Sequence, residues 1–355
     1  MTKKKSVLAL SLVLSTSLLV TACGKTEEPK TSSTENQTKT TSTDTSSTPT
    51  KELKVVKTWT RLDCTLVPFL VADKLGYFEE QGIKLEYTGE TQPPQRVASI
   101  LNGNNDVGSA HPNTLAIARA GGANIKGVVR SIVEPPVEID DIHLQHMWWV
   151  SNKNGPIKTI DDIKNFKGKV KVGTLLRNAC IDYLTDKLLA KHGIPKDKIE
   201  WITMPDKEQV LALKRGLIDI ATPHPPFFKA TEESGVANIL ITSREIGGEN
   251  AGTYTYYFSD KYIEEHPEEV KAFVIAIKKA ERWINENPEQ ANKWTEEAIG
   301  VPVTANHFYS TDAVIPDKDI QEWIDGSVDS GALPKGKIKV EDIITHQFDA
   351  YGNQV

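Results

Sequence analysis

Two short stretches of this 355-residue chain carry the same arrangement of reactive side chains. "DVGSAHP" begins at Asp106 and ends in His111-Pro112; "DIATPHP" begins at Asp219 and ends in His224-Pro225. An imidazole can hydrogen-bond a solute, relay a proton or ligate a metal, and a proline behind it suits the first turn of a helix. Arg61 and Arg177 each follow a strand-like run. Two forked guanidiniums could clamp a carboxylate, sulfonate or phosphate, although either reads equally well as a solvated rim charge. His143 and His146 lie in "EIDDIHLQHMWWV". With His111 and His224 they could be assembled into a metal site, but on a strand residues three apart face opposite sides. No HExxH or CxxC spacing is present, so the expectation is no metal and no cofactor. Asp140, Asp141 and Glu134 in the same region could instead face a cationic ligand. A His111 or His224 pairing with Cys64 exists on paper, but GxSxG, P-loop and GxGxxG motifs are absent, and the chain is not expected to be an enzyme.

Elements that would position these residues follow an α/β rhythm. "LKVVKTW", "KLEYT", "DVGSA" and "IKGVVRS" read as strands, separated by helical stretches such as "PQRVASILNGN" and "PNTLAIARAGG". After the region 132–150 the rhythm restarts with "KVKVGT", a helix from about Asn178 to His192, "KIEWITM", "KEQVLALKRG", "IDIAT" and "ANILITS". Two α/β lobes are therefore expected, each a mostly parallel sheet flanked by helices, with a helical tail from roughly residue 260. The crossings between lobes fall near 132–150 and 243–255. In open α/β sheets ligands sit beyond the C-terminal ends of strands. That rule nominates Trp59, Arg61, Asp63, Cys64, Ser109, His111 and Asn113 from the first lobe. From the second it nominates Thr174, Leu175, Arg177, Asn178, Thr222, His224 and Phe227. Trp148 and Trp149 are expected to seat the hinge strand.

The N-terminus reads as a targeting segment. Lys3-Lys4-Lys5 precedes a largely apolar run from Leu8 to Val20 that is short for a membrane span. "LLVTAC" resembles the lipobox of bacterial lipoproteins, which makes Cys23 the expected lipidation site after removal of residues 1–22. Residues 23–50 are dominated by Ser and Thr and contain no aromatic residue, the composition of a flexible tether. The remaining cysteines, Cys64 and Cys180, are expected to be separate thiols, with a disulfide between them compatible with the sequence. A net charge of −6 argues against a nucleic-acid partner.

Against that frame, the order of several motifs resembles a family. "LVADKLGYFEEQGIKLEY" carries Ala72, Gly76, Tyr77, Phe78 and Gly82, and "LNGNNDVGSAHPNTLAIARAGG" carries Gly103, Asp106 and Gly108. Both are similar to segments of the nitrate/sulfonate/taurine and thiamine-pyrimidine-precursor binding proteins. Where such proteins often write Trp-Glu-Pro in the second lobe, this chain has His224-Pro225-Pro226. The resemblance spans roughly residues 53–300. It implies a two-lobe periplasmic-binding-protein type II fold, lobe I being 51–140 plus 250–355 and lobe II 141–249. It also implies the extracytoplasmic solute-binding component of an ABC importer. Such a component would be a monomer held at the cell membrane by its lipid alone, taking a small molecule and docking on a permease. A sensor or adhesin on the same fold is the alternative, a thiamine-pyrimidine-synthase-like enzyme a more distant one. The loss of the indole and carboxylate at 224–225 leaves the ligand open.

Overall fold

A computed structural model describes residues 52–353; the targeting segment, Cys23 and the tether lie outside the described residues. The first β-branched run forms β1 (Lys54–Thr58), paired in parallel with β2 (Ile83–Tyr87). Between them lies α1 (Val67–Lys74), with a proline in its first turn. β3 (Gly108–Ala110) leads through His111 into α2 (Pro112–Ala120), and β4 (Ile125–Arg130) follows. The chain then crosses to the second lobe. There β5 (Trp148–Asn152), β6 (Val170–Thr174), α3 (Cys180–His192), β7 (Ile199–Thr203), α4 (Asp206–Lys214), β8 (Ile220–Ala221) and β9 (Ala237–Thr242) build a five-stranded sheet in the order β7-β6-β8-β5-β9. It returns as β10 (Thr255–Ser259), which pairs between β3 and β4. The tail forms α5 (Pro267–Glu286), α6 (Pro288–Ile299) and α7 (Asp317–Asp329).

The sheets are mixed, and the departure from all-parallel pairing has one origin. β6 runs parallel to β7 and β8, as consecutive βαβ units require. β5 and β10 are the strands that enter a lobe from the other one, and both run antiparallel to their neighbours. Each joins its sheet without the crossover helix that would make it parallel.

The repeated Asp has the same structural task in both lobes. The Asp106 carboxylate accepts the Lys57 N–H at 2.7 Å, while the Asp106 N–H donates to the Lys57 carbonyl at 2.8 Å. Asp219 repeats both contacts with Lys171, each at 2.8 Å. A side-chain acceptor satisfies the neighbouring strand where the ladder has yet to form. Each Asp thus pins the segment that carries the histidine.

The larger core packs α5 against lobe I, with Phe273 meeting Phe69, Phe78, Tyr256 and Phe258 at centroid distances of 5.4–5.9 Å. Aromatic pairs of this kind contribute about 0.5–1.5 kcal/mol each beyond their buried area. Lobe II has its own core around α3, including Trp149, Leu184 and Leu188. Trp148 lies on the opposite face, stacked flat on Phe228 at 3.7 Å. α7 bridges the lobes: Ile320 and Ile324 join the lobe I packing, while Trp323 stacks on Tyr183 of α3 at 4.1 Å. No helix among the described residues is long and apolar enough to cross a membrane.

Candidate functional site

Where the two His-Pro turns face each other, the structure gathers a buried cluster of imidazoles and thiols. His111 holds the residue position before α2 in an extended conformation (ψ 155°). Its Nδ1 donates to the Thr253 carbonyl at 2.8 Å, leaving Nε2 for another partner. His224 is held in the corresponding way, its Nδ1 against the Asp206 carboxylate at 3.0 Å. Asp206 is itself fixed: Gln209 donates to its other oxygen at 2.8 Å and accepts the Thr222 N–H at 2.7 Å. The Nε2 of His224 then faces Cys180 Sγ at 3.8 Å. Cys180 is the first residue of α3, where the helix dipole favours a thiolate.

His146 fills the space between the turns. Its ring lies 4.9 Å from His111 and 4.9 Å from His224, and His307 stacks on it at 5.1 Å. His146 and His307 are 1% and 2% exposed, and among the described residues none of their four ring nitrogens has a hydrogen-bond partner. The metal-capable atoms of His111, His146 and Cys180 all lie within 4.8 Å of one another, as do those of Cys64, Asp206 and His224. A cavity of about 80 Å³ opens onto this cluster, lined by Cys64, Arg96, Ser109, His111, Thr174, Leu175, Cys180, His224, Tyr254 and Tyr257 among others.

The electrostatics split chemically similar groups. Burial opposes ionisation of Cys180, but His111 and His224 outweigh it and bring the thiol down to about 6. Burial likewise disfavours a charged His224, yet Asp206 and Cys180 hold it up at about 10. His146 and His307 are pushed well below the usual range by desolvation and by their imidazole neighbours, and so stay neutral. Burial, followed by Asp63 and Asp206, drives Cys64 well up.

Eleven of the fourteen nominated residues line one or more of three cavities. Cys64, Ser109, His111, Thr174, Leu175 and His224 line the central cavity. Asp63, Leu175 and Phe227 line a neighbouring cavity of about 150 Å³. Arg177, Asn178 and Asn113 line a third, of about 290 Å³. Asn113 also donates to the Ala179 carbonyl at 2.9 Å, and Thr114 to the Asn178 carbonyl at 3.0 Å, so the starts of α2 and α3 are tied across the lobes. The arginine clamp does not assemble. Arg61 is 2% exposed, lies over the Phe69 ring at 3.8 Å and donates to Thr58 Oγ1 and the Trp59 carbonyl. Trp59 is buried in the lobe I core, and Arg177 is paired with Asp182 at 2.6 Å over Trp201. Thr222 uses both its N–H and its hydroxyl internally. The guanidinium at the cavity wall is that of Arg96, paired with Asp63 at 2.7 Å.

A family model described as "NMT1/THI5 like" matches residues 64–291. The chain belongs to that family. A Bacillus subtilis (strain 168) protein provisionally named as aliphatic sulfonates-binding is 24% identical over 316 residues, covering 84% of this chain and 88% of its own. The periplasmic nitrate-binding protein NrtA of Synechocystis PCC 6803 superposes with a TM-score of 0.70 at 15% identity, over 85% of this chain and 89% of that one. A ligand-binding component of an ABC-type import system from Staphylococcus aureus, crystallised with zinc bound, gives 0.69 at 14% identity, over 85% and 100%. At these identities the solved structures establish the two-lobe periplasmic-binding-protein type II fold.

Within this NMT1/THI5-like chain, sequence reasoning missed Cys180, His307, Asp206 and Arg96 as cavity or cluster residues. It set His146 aside on a strand argument that does not apply. Ile142–Leu144 form a 3-10 turn and β5 starts only at Trp148, so alternation of faces does not govern 143 and 146. His143 faces outward to Asp141 and Glu232 while His146 turns in. Among the described residues, Cys64 and Cys180 are free thiols.

Proposed function

We infer that this NMT1/THI5-like protein is the extracytoplasmic solute-binding component of an ABC importer. It takes one small solute between its lobes and presents the closed form to a membrane permease. The observation that carries this reading is the cavity at the His-Pro turns. Its wall comes from the ends of β3 and β6, the start of α3 and the re-entering β10, hence from both lobes. A solute touching both walls binds the closed arrangement better than the open one, and that difference in affinity drives closure. The role is capture and delivery, with no covalent step. The lipobox-like "LLVTAC" supports anchoring through Cys23 at the outer face of the cell membrane, with the Ser/Thr-rich stretch as tether and the body acting as a monomer.

The test is a thermal-shift and small-angle-scattering screen of the purified protein against aliphatic sulfonates, nitrate, pyrimidine precursors and metal ions. The expected result is one class that raises the melting temperature and reduces the radius of gyration together. A protein that neither compacts nor gains stability with any small solute, in the same monomeric state, would overturn the reading. Cys23→Ser is expected to release the protein from the membrane fraction, and retention there would count against the anchor.

A further inference from the structure

We propose that His111, His146, Cys180 and His224 form a binding site for a thiophilic transition-metal ion, Zn²⁺ or Cu⁺. This deepens the binding-protein reading and rests on it for one point, that the ion is the cargo.

Three independent features converge. The first is the outer shell. Metal-bound histidines characteristically donate their second ring N–H to a carbonyl or carboxylate, which fixes the tautomer and aims the free nitrogen. His111 does this with the Thr253 carbonyl and His224 with Asp206, whose own position is locked by Gln209. The second is His146, almost fully buried between those two rings with neither nitrogen bonded. Buried polar groups are nearly always satisfied, and the ligand-type atoms of His146, His111 and Cys180 lie within 4.8 Å of one another. The third is spacing. A tetrahedral ion with bonds of about 2.3 Å to sulfur and about 2.0 Å to nitrogen separates those atoms by about 3.5 Å. Cys180 Sγ and His224 Nε2 stand 3.8 Å apart.

Donor type decides the class of ion. Imidazole and thiolate favour Zn²⁺ and Cu⁺, whereas Mg²⁺ and Ca²⁺ require oxygen ligands. Cys64 and His307 flank the site as further soft donors. The line Cys180–His224–Asp206 also has the order of a nucleophile, a base and its orienting group. Acyl chemistry, however, gives no task to the two unpartnered rings of His146 and His307. The trio His111, His146 and Cys180 draws on lobe I, the crossing and lobe II, and His224 reaches it beside Cys180, so one ion joins both lobes only in the closed form.

The test uses tag-free protein, reduced and stripped with a chelator, titrated in separate arms with Zn²⁺, Cu⁺ kept reduced, Mg²⁺ and Ca²⁺, and with Co²⁺ as a spectroscopic probe. Expected are one equivalent of Zn²⁺ or Cu⁺ bound and no response to Mg²⁺ or Ca²⁺. Co²⁺ should give a sulfur-to-metal charge-transfer band that Cys180→Ser abolishes. Asp206→Asn should weaken Zn²⁺ or Cu⁺ binding by about 10–100-fold, and Cys180→Ser and His146→Gln by more. Circular dichroism of each apo variant guards against simple unfolding, and Asp206→Asn keeps the question open if His146→Gln does not fold. Bound Zn²⁺ should also protect Cys180 from iodoacetamide; alkylation at the same rate with and without Zn²⁺ would overturn the site in favour of a reactive thiol. Absence of Zn²⁺ and Cu⁺ binding, or equal binding by the Cys180→Ser and His146→Gln variants, would overturn it as well. If no metal binds but a sulfonate or other organic solute compacts the protein, the metal site falls and the importer reading stands. Zn²⁺ or Cu⁺ binding without compaction would overturn a site drawn from both lobes, because joining them requires closure.

Discussion

Cys64 and Cys180 face the same cavity with similar burial, yet their surroundings drive them in opposite directions. Cys180 starts α3 and meets two imidazoles, which overcome desolvation and lower the thiol to about 6. Cys64 has burial, Asp63 and Asp206 against its thiolate. In the metal-free protein at neutral pH, iodoacetamide should therefore modify Cys180 and spare Cys64, read by peptide mass spectrometry. The alkylation rate at Cys180 should rise through a midpoint near 6. Asp206→Asn removes the charge that sustains the His224 imidazolium, so the midpoint should move up toward an ordinary thiol. An unmoved midpoint would mean that Asp206 does not govern the pair. Little of this was legible from composition: the two cysteines are indistinguishable until the chain places one at a helix start and the other beside carboxylates.

At the scale of elements, the two crossings are joined by a buried carboxylate. Glu134, on the outgoing crossing, accepts from the Ser243 hydroxyl on the return crossing and from the His146 N–H at 3.3 Å. Burial outweighs these donors and pushes its carboxyl up to about 7. Between about 4.5 and about 7 the folded state thus binds more protons than the unfolded one, and stability falls as pH rises through that window. The slope is at most about 1.4 kcal/mol per pH unit. Glu134→Gln keeps an acceptor without the charge and should flatten the wild-type decline in denaturation midpoint; an equal slope in the variant would refute the assignment. A second element-scale test concerns α7, whose Gly326 lies so close to Tyr183 of α3 that an added Cβ would overlap the ring. Overpacking costs about 1–3 kcal/mol, and here it falls on the contact between lobes. Gly326→Ala should weaken solute binding by about tenfold or more and reduce the ligand-driven compaction, with the lobes still folded. Strand and helix positions were readable because their apolar periods are local. The antiparallel entry of β5 and β10 was not, since pairing direction depends on which lobe a strand arrives from.

For the whole molecule, the repeated turn was the legible part and the site built from it was not. "DVGSAHP" and "DIATPHP" pointed to one cleft with a histidine from each side, and the Asp of each copy proves to be a strand clamp. The partners that give those histidines their chemistry lie at 146, 180, 206 and 307, scattered over the crossing, the starts of two lobe II helices and the tail. No spacing rule links them, because only closure of the fold brings them together. Arg61 misled for the same reason: a strand-end arginine reads as a ligand clamp until packing places it over Phe69. The same long-range assembly makes closure observable. Trp323 of α7 stacks on His111 of lobe I at 5.3 Å and on Tyr183 of lobe II at 4.1 Å, with its indole N–H on the Asn250 carbonyl. Opening the cleft separates Tyr183 from that stack and admits water to the indole. Ligand should therefore shift the tryptophan emission to shorter wavelength in step with compaction, and Trp323→Phe should abolish the shift while leaving compaction in place. A full ligand-dependent shift in Trp323→Phe would show that the lobes do not part along the α3–α7 seam.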